Sequence, residues 1–513
     1  MSVLRYIVLV AILFLGMWRP AASQAVSVPG VASGMGYGLY NYTDDNAGWL
    51  SPKTFRRRAL LKRASRDYHG PYFGSWLINS QLTVGPTFTD NLYFSSTNRR
   101  SGFGSRIVPN FTATRDSGIH RTKIYGIGDL SIFPSESKYN LVNASFGFSH
   151  LWEARRDLLV KLNGQADRIT TVYGINGPSS SLVNGVTAAS SGGSGSVVAP
   201  TTSIPLFGFS TSTNGQFQRW SVFGGSASIL KSFDRLFTGT TVGSFYAQYE
   251  PVDIDNTNFY EPIARNDQIT YAVNRVGYAL TPAIYAYTDN SGNIRNMGSY
   301  GVSYYGNLVY SLLNNYNVGV YNTSGFRSVG GLGYDRGGGS GESLWKGEIY
   351  AGYQQQYYHD TRSGSTSMPV FGGRLSWRPN PAWAAFVSLD RFYQDFYVPP
   401  GTGNQLGSPF RVLSGQLGLS HAFSRTLSAS LSQGYFRYAY ITGNNTPNTM
   451  LSTTATVNYE LQRNLSLTFQ YQFWTNMTGY NNSSTSLASL YSTNSYNGTW
   501  TRNQVTLGLT YKY

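Results

Sequence analysis

The chain contains no cysteine, which excludes a disulfide-stapled scaffold, a thiolate metal site and a lipidated N-terminal cysteine. Histidine is almost as scarce. His69, His120, His150, His359 and His421 are scattered, and none belongs to an H-x-x-x-H pair or stands beside a nucleophile motif. No metal or cofactor is therefore expected, no catalytic residue is assigned, and the chain reads as a non-enzyme. His421 beside Ser420 and Ser424 is the single spacing open to a hydrolase dyad, and it has no positioned acid. Gly34, Gly36 and Gly38 alternate without a preceding strand or a following helix pattern, so a phosphate loop is excluded. Charged residues make up only 12%. Beyond Trp18 no apolar run approaches the ~20 residues a helix needs to cross a bilayer, so any embedding in a membrane has to use strands.

What is present points the same way. Arg5 precedes an apolar run from Tyr6 to Trp18, followed by Ala21, Ala22, Ser23, Gln24 and Ala25. A charged start, a short apolar core and a small-residue cleavage site make a secretory signal, placed over residues 1–23. Residues 24–70 have little strand character. They carry a basic cluster, Lys53, Arg56, Arg57, Arg58, Lys62, Arg63 and Arg66, around Ala59, Leu60 and Leu61. This segment is expected to be an irregular periplasmic tether, either solvated or docked on an acidic periplasmic partner, lipid headgroups or peptidoglycan. Nucleic acid is not expected as a partner, because the cluster is exported and only Phe55 interleaves it.

From Pro71 onward period-two patterns recur. In the last eleven residues Val505, Leu507, Leu509, Tyr511 and Tyr513 fall on one face, and Gln504, Thr506, Gly508, Thr510 and Lys512 on the other. In 451–461 the odd positions suit lipid and the even ones water. After the turn Gln462, Arg463, Asn464 the odd positions of 465–473 again suit lipid. Eighteen such stretches occur between residues 76 and 513, an even number, as a closed bacterial barrel requires. The interval Asn290 to Asn322 could hold a further pair, which sets a range of 16–20. A mean hydropathy of −0.26 fits such alternation, which hides its apolar half from an average. The expected fold is all-β: a single transmembrane antiparallel β-barrel over residues 71–513. A soluble sandwich is disfavoured because so many consecutive strands keep polar faces of similar character. Short polar connections such as Arg115 to Gly118, Asn380 with Pro381, and Ser424 to Thr426 suit periplasmic hairpins. The Ser/Gly-rich stretch Pro178 to Ser203, within the 173–217 connection, suits a long extracellular loop.

The stretch Gly85 to Tyr93, the run Ala351 to Gln354, Leu375 to Trp377 with Pro379 and Pro381, and Tyr459 to Leu465 together resemble the "putative β-barrel porin" family of Gram-negative outer membranes, often found with exopolysaccharide or capsule functions. The resemblance spans most of residues 71–513. It implies an outer-membrane channel whose closing strand, with Leu507, Leu509, Tyr511 and Tyr513 facing lipid, is read by the barrel-insertion machinery. A terminal Tyr513 departs mildly from the commoner Phe.

Inward-facing candidates for the pore lining are Lys161, Asp167, Lys346, Glu348, Arg374, Asp390, Glu460 and Lys512, whose mixed signs would pair or set up a transverse field. The formal net charge of +15 does not mark the pore as electropositive, since nine of the 39 basic residues precede residue 70. Trp377, Trp383, Phe423, Trp474, Tyr511 and Tyr513 are expected in interfacial girdles with His150 and His421. Tyr350, Tyr358 and Phe392 are the inward aromatics open to sugar stacking. The function expected is passive passage of polar solutes through a wide hydrated lumen. The alternatives are an exopolysaccharide exporter and a non-conducting structural or adhesive barrel.

Overall fold

In the computed structural model the described residues are 71–92, 99–172, 217–251, 264–300, 323–337, 343–358, 365–380, 382–394, 410–440, 448–477 and 499–513. The expected signal over 1–23, the tether over 24–70 with its 53–66 basic segment, and the connection between 173 and 216 lie outside them.

Among the described residues nineteen strands are formed: β1 (Tyr72–Phe73), β2 (Trp76–Thr89), β3 (Gly102–Asp116), β4 (His120–Ile132), β5 (Leu141–Arg155), β6 (Leu158–Val172), β7 (Phe217–Phe233), β8 (Leu236–Pro251), β9 (Ala264–Ala279), β10 (Ile284–Tyr300), β11 (Thr323–Gly337), β12 (Ser343–Tyr358), β13 (Ser365–Asn380), β14 (Trp383–Gln394), β15 (Phe410–Ala422), β16 (Leu427–Tyr440), β17 (Asn448–Gln462), β18 (Leu465–Asn476) and β19 (Trp500–Lys512). β1 is a two-residue turn-back onto β2. The other eighteen pair antiparallel with their sequence neighbours, and β19 returns to β2, closing the cylinder. The eighteen strands match the sequence pattern one for one. Of the doubtful interval, the described part belongs to a longer β10, and 301–322 lie outside the described residues: Asp289, Asn290, Ser291 and Asn293 are polar on both faces, which disguises the strand, yet their in-register pairing to β11 continues to Arg295.

The alternation decides which face is outward. On β12, Trp345, Ile349, Tyr353 and Tyr357 are exposed, while Glu348, Tyr350, Gln354 and Gln356 are buried. From Trp345 to Tyr357 a strand advances about 40 Å at ~3.4 Å per residue, or about 30 Å along an axis tilted by ~40°, enough to contain the apolar band of an outer-membrane barrel. Its short-turn rim carries paired aromatic and imidazole rings, Trp345 with Trp377 at 5.6 Å, Trp383 with His421 at 4.0 Å, and His120 stacked on His150 at 5.4 Å.

The turns on that rim are built from their residues. Asp116 Oδ1 accepts a bond from Gly118 N at 2.8 Å, and Gly118 takes φ +90°; only glycine adopts that region freely. At the β7–β8 hairpin Asp234 occupies φ 57°, which Asp tolerates better than most residues. At the opposite rim a 3₁₀ turn at Pro134–Tyr139 joins β4 to β5. Among the described residues no helix is long and apolar enough to cross a membrane.

Candidate functional site: the inner wall of the barrel

Two regions of the inner face differ in chemistry. The first runs from β8 to β14. In register across seven strands stand Phe237, Gly277, Tyr287, Gly331, Tyr350, Gly372 and Asp390. Large rings alternate with glycines, and a Cβ at Gly277, Gly331 or Gly372 would overlap the ring of Phe237, Tyr287 or Tyr350 respectively. The glycines leave the floor clear, so each ring occupies the space over the next strand. The Tyr350 hydroxyl thereby donates to Asp390 two strands away.

One row toward the short turns, Tyr285, Gly333, Glu348 and Arg374 are again in register. Tyr285 crosses Gly333 and donates to Glu348 Oε1 at 2.7 Å. Arg275 Nη1 reaches the same oxygen at 2.8 Å, and Arg374 Nη2 reaches Oε2 at 2.8 Å. Arg275 also holds Asp289 bidentately, both contacts at 2.6 Å, and lies 4.2 Å over the Tyr287 ring. Tyr285, Arg275, Asp289 and Glu348 are almost fully buried, Glu348 at 2% exposure, and Arg374 is partly buried. Buried charges persist only when paired and hydrogen-bonded, and here each carboxylate meets a guanidinium.

The second region is the wall of β17, β18, β19, β2 and β3. Arg106 on β3 holds Asp129 bidentately at 2.8 Å and reaches Gln470 Oε1 on β18 at 2.7 Å. Trp474, Gln472 and Gln470 face Arg502, Gln504 and Thr506, and the Arg502 guanidinium lies 5.2 Å over the Trp474 ring. This wall contains the seam between first and last strands. Backbone pairing there skips from Thr506–Thr87 to Leu509–Val84, at Pro86, which has no N–H to give. Side chains lace the seam instead: Thr83 with Thr510 at 2.7 Å, Thr87 with Thr506 at 2.9 Å, Arg502 Nε to Thr89 at 2.9 Å, and Asp90 accepting from Asn503 N and Nδ2 at 2.7 and 2.6 Å.

Of the residues expected to line a pore, Lys161, Glu348 and Asp390 are inward and buried, and Lys346 and Arg374 are inward and partly buried. Glu348 pairs with Arg374, and Lys512 Nζ pairs with Glu460 at 3.4 Å beside the short turns. Asp167 lies on β6 opposite Val222; its side chain and that of Tyr358 fall outside the described residues. Leu507, Leu509, Tyr511 and Tyr513 are exposed on the outer face of the closing strand and its final residue. Two expectations are corrected. Trp474 is no girdle residue: it shares the parity of Gln470 and Gln472 and is buried inward. Tyr350 and Phe392 are inward but buried, so they offer no open stacking face; between β8 and β14 the wall itself is packed with rings and ion pairs. The aromatic–glycine row escaped the sequence reading because it appears only once seven strands are set in register. Its one linear trace is an inward glycine at matching depth on every second strand.

A closed, even-numbered antiparallel cylinder with apolar rings outside and paired charges inside defines a transmembrane β-barrel of the outer-membrane kind. The family comparison makes this particular: the model described as "Putative beta-barrel porin 2" matches residues 208–493, and the chain belongs to that family. No curated protein matches the sequence. Among solved structures it is similar to the siderophore receptor PirA from Acinetobacter baumannii, at 8% identity over 84% of this chain and 80% of that one, TM-score 0.42. It is also similar to the FrpB iron transporter from Neisseria meningitidis, at 10% over 89% and 84%, TM-score 0.41, and to Pseudomonas aeruginosa OpdO, at 11% over 85% and 96%, TM-score 0.37. Similarity at this level bears on neither substrate nor mechanism.

Proposed function

We propose that the chain is an outer-membrane channel of a Gram-negative bacterium that passes polar solutes by diffusion, without catalysis. The observation that carries this reading is the closed eighteen-strand cylinder whose exposed face is apolar and whose inner face is built of Thr, Ser, Gln, Asn and charged side chains. Such a wall replaces part of a solute's hydration shell, while the outer face removes apolar surface from water. Because Glu348, Asp289, Asp129 and Glu460 each sit against a cation, the inner wall contributes little net field, and selectivity between small anions and cations is weak. In this reading residues 1–23 are removed on export, 24–70 form a periplasmic tether whose 53–66 segment meets an acidic partner, and the Leu507 to Tyr513 face is what the insertion machinery reads.

Recording in planar bilayers tests it. Purified protein should give ohmic steps with a reversal potential close to zero in a potassium chloride gradient. A barrel that inserts, runs as a folded species on unheated gels and stays electrically silent would remove the channel reading in favour of a structural barrel.

A further inference from the structure

The apolar outer face is interrupted on β8 to β11. In register across those four strands, Thr240, Asn274, Asn290 and Ser328 point outward, and all but the half-buried Asn274 are exposed. Asn274 stands four residues along β9 from Tyr278, and Asn290 six along β10 from Ile284. That is about 10 and 16 Å above the short-turn rim, at ~3.4 Å per residue on strands tilted ~40°. Both amides therefore lie within the ~25 Å apolar band of such a barrel. At comparable height β14 presents Val387 and Leu389, and β19 presents Leu507 and Leu509.

The polar row does not satisfy itself. Asn274 Nδ2 donates to Thr240 Oγ1 at 2.8 Å, and Ser328 Oγ donates to Asn290 Oδ1 at 2.6 Å. An amide carries two N–H donors and a carbonyl oxygen, and among the described residues each of these two makes that one contact. Exchanging the oxygen and nitrogen ends changes which atom is engaged and leaves the remainder as large. Hydrocarbon cannot hydrogen-bond that remainder, and a polar group turned to it is strongly disfavoured. The glycines nearby supply an independent observation. Gly292, two residues beyond Asn290, and Gly330, opposite Thr288, share this outer face. A Cβ would meet nothing nearer than 3.8 Å at Gly292 and 4.0 Å at Gly330, so the barrel's own packing asks for glycine at neither. Inward, Gly331 and Gly333 are held to glycine by tyrosine rings. A glycine inside a strand weakens it and serves where another surface comes close, as small residues do between membrane helices.

We propose that the outer face of β8 to β11 is an interface between two copies of this chain, related by a two-fold axis normal to the membrane. Insertion gives every copy the same orientation and depth, so that axis sets the polar row opposite itself. An amide, which both donates and accepts, is its own complement. Among the described side chains on these outer faces none is charged, so the surface calls for no oppositely charged partner. Four strands at ~4.8 Å spacing, followed over the ten residues from Leu236 to Tyr246, present roughly 19 by 34 Å, or about 650 Å² before side-chain relief. Stable interfaces bury about 800 Å² per partner, so the patch is of the required size. The proposal depends on the barrel lying in a bilayer and not on what its lumen passes.

Because the chain has no cysteine, a single introduced thiol reports only its own position. Thr288→Cys keeps both amides, and Leu389→Cys on β14 is the control on another part of the outer face. In proteoliposomes a short bis-maleimide should link Thr288→Cys into a species of two chains and leave Leu389→Cys as one. Light scattering in mild detergent should give the protein mass of a dimer. Asn274→Leu with Asn290→Leu suits lipid and should raise the dissociation constant at least about tenfold, the change expected when hydrogen bonds across the axis are lost. Gly330→Leu, for which the single barrel has room, should weaken the dimer as well, and unheated gel mobility establishes that each variant is folded. A monomer at every concentration, equal linking through Leu389→Cys, or an unchanged dissociation constant in either folded variant overturns the interface. Linking of Thr288→Cys in native outer membranes to a different protein alone overturns it too, and assigns the face to that protein. A monomer that conducts loses the interface and keeps the channel; a dimer that never conducts keeps the interface and loses the channel.

Discussion

Replacing Glu348 by Gln asks whether the inner wall between β9 and β13 is as dry as its packing. The substitution keeps the shape and one acceptor oxygen and removes the charge. In the native barrel that carboxylate accepts from Arg275 Nη1 and Tyr285 OH on Oε1, and from Arg374 Nη2 and Nε on Oε2, the last at 3.2 Å. After the change two guanidinium groups face an amide. Its NH₂ points a donor at one of them, while Arg275 retains Asp289. Breaking a buried ion pair from one side is worth about 3–5 kcal/mol; with one acceptor kept and Asp289 still in place, about 3 kcal/mol is expected. Reversible urea unfolding in lipid vesicles, followed by tryptophan emission, measures it as a lower midpoint at unchanged slope. The double replacement Arg374→Met with Glu348→Met should recover only part of the loss: an apolar pair is often no less stable than a buried ion pair, but Arg275 Nη1 and the Tyr285 hydroxyl still lose their acceptor. A loss below about 1 kcal/mol for Glu348→Gln, the range of exposed pairs, would show that water reaches the network and that this half of the lumen is open.

Other consequences can be measured alongside. Gly333→Val should displace Tyr285 from its seat and cost about 2–3 kcal/mol through overpacking and the lost bond to Glu348; in combination with Tyr285→Ala the two effects should be strongly non-additive in the same unfolding assay. Asp90→Ala removes both bonds to Asn503 that hold the long-connection end of the seam, and should cost about 1.5–3 kcal/mol, read as a lower temperature for the heat-induced gel shift; an unchanged temperature would mean that Pro86 and its neighbours do not make this seam dependent on side chains. At the β5–β6 turn the Lys231 ammonium hydrogen-bonds Asp157 and holds its carboxyl below the ordinary 3.8. A lowered folded-state pKa contributes stability that is present above the unfolded pKa and lost as pH falls through the folded one. Asp157→Asn should therefore be less stable than wild type at pH 6 and indistinguishable from it in strong acid, well below pH 3.8; a difference that persists in acid would assign the effect to the turn's backbone.

Strand number, parity and closure were legible in the chain because a barrel strand must turn apolar side chains to hydrocarbon and polar ones inward, and that demand writes a period of two residue by residue. The one obscured strand, β10, runs polar on both faces past Asp289, so local pattern was weakest there and pairing to β11 decided. Trp474 shows the limit of residue type as a guide: tryptophan prefers the interface, yet its parity with Gln470 and Gln472 turns it inward.

The amino-acid sequence by itself determined the architecture, since outward and inward faces follow from neighbours two positions apart. Only the tertiary structure decided which inward groups meet. Phe237, Tyr287, Tyr350 and Asp390 are far apart in the chain and share a row only because the stagger of seven strands aligns them. Glu348 finds Arg275 across two intervening strands for the same reason, with the Arg275 guanidinium lying over the Tyr287 ring. Register is a collective property of the closed cylinder, set by every hairpin at once, and no single segment encodes it.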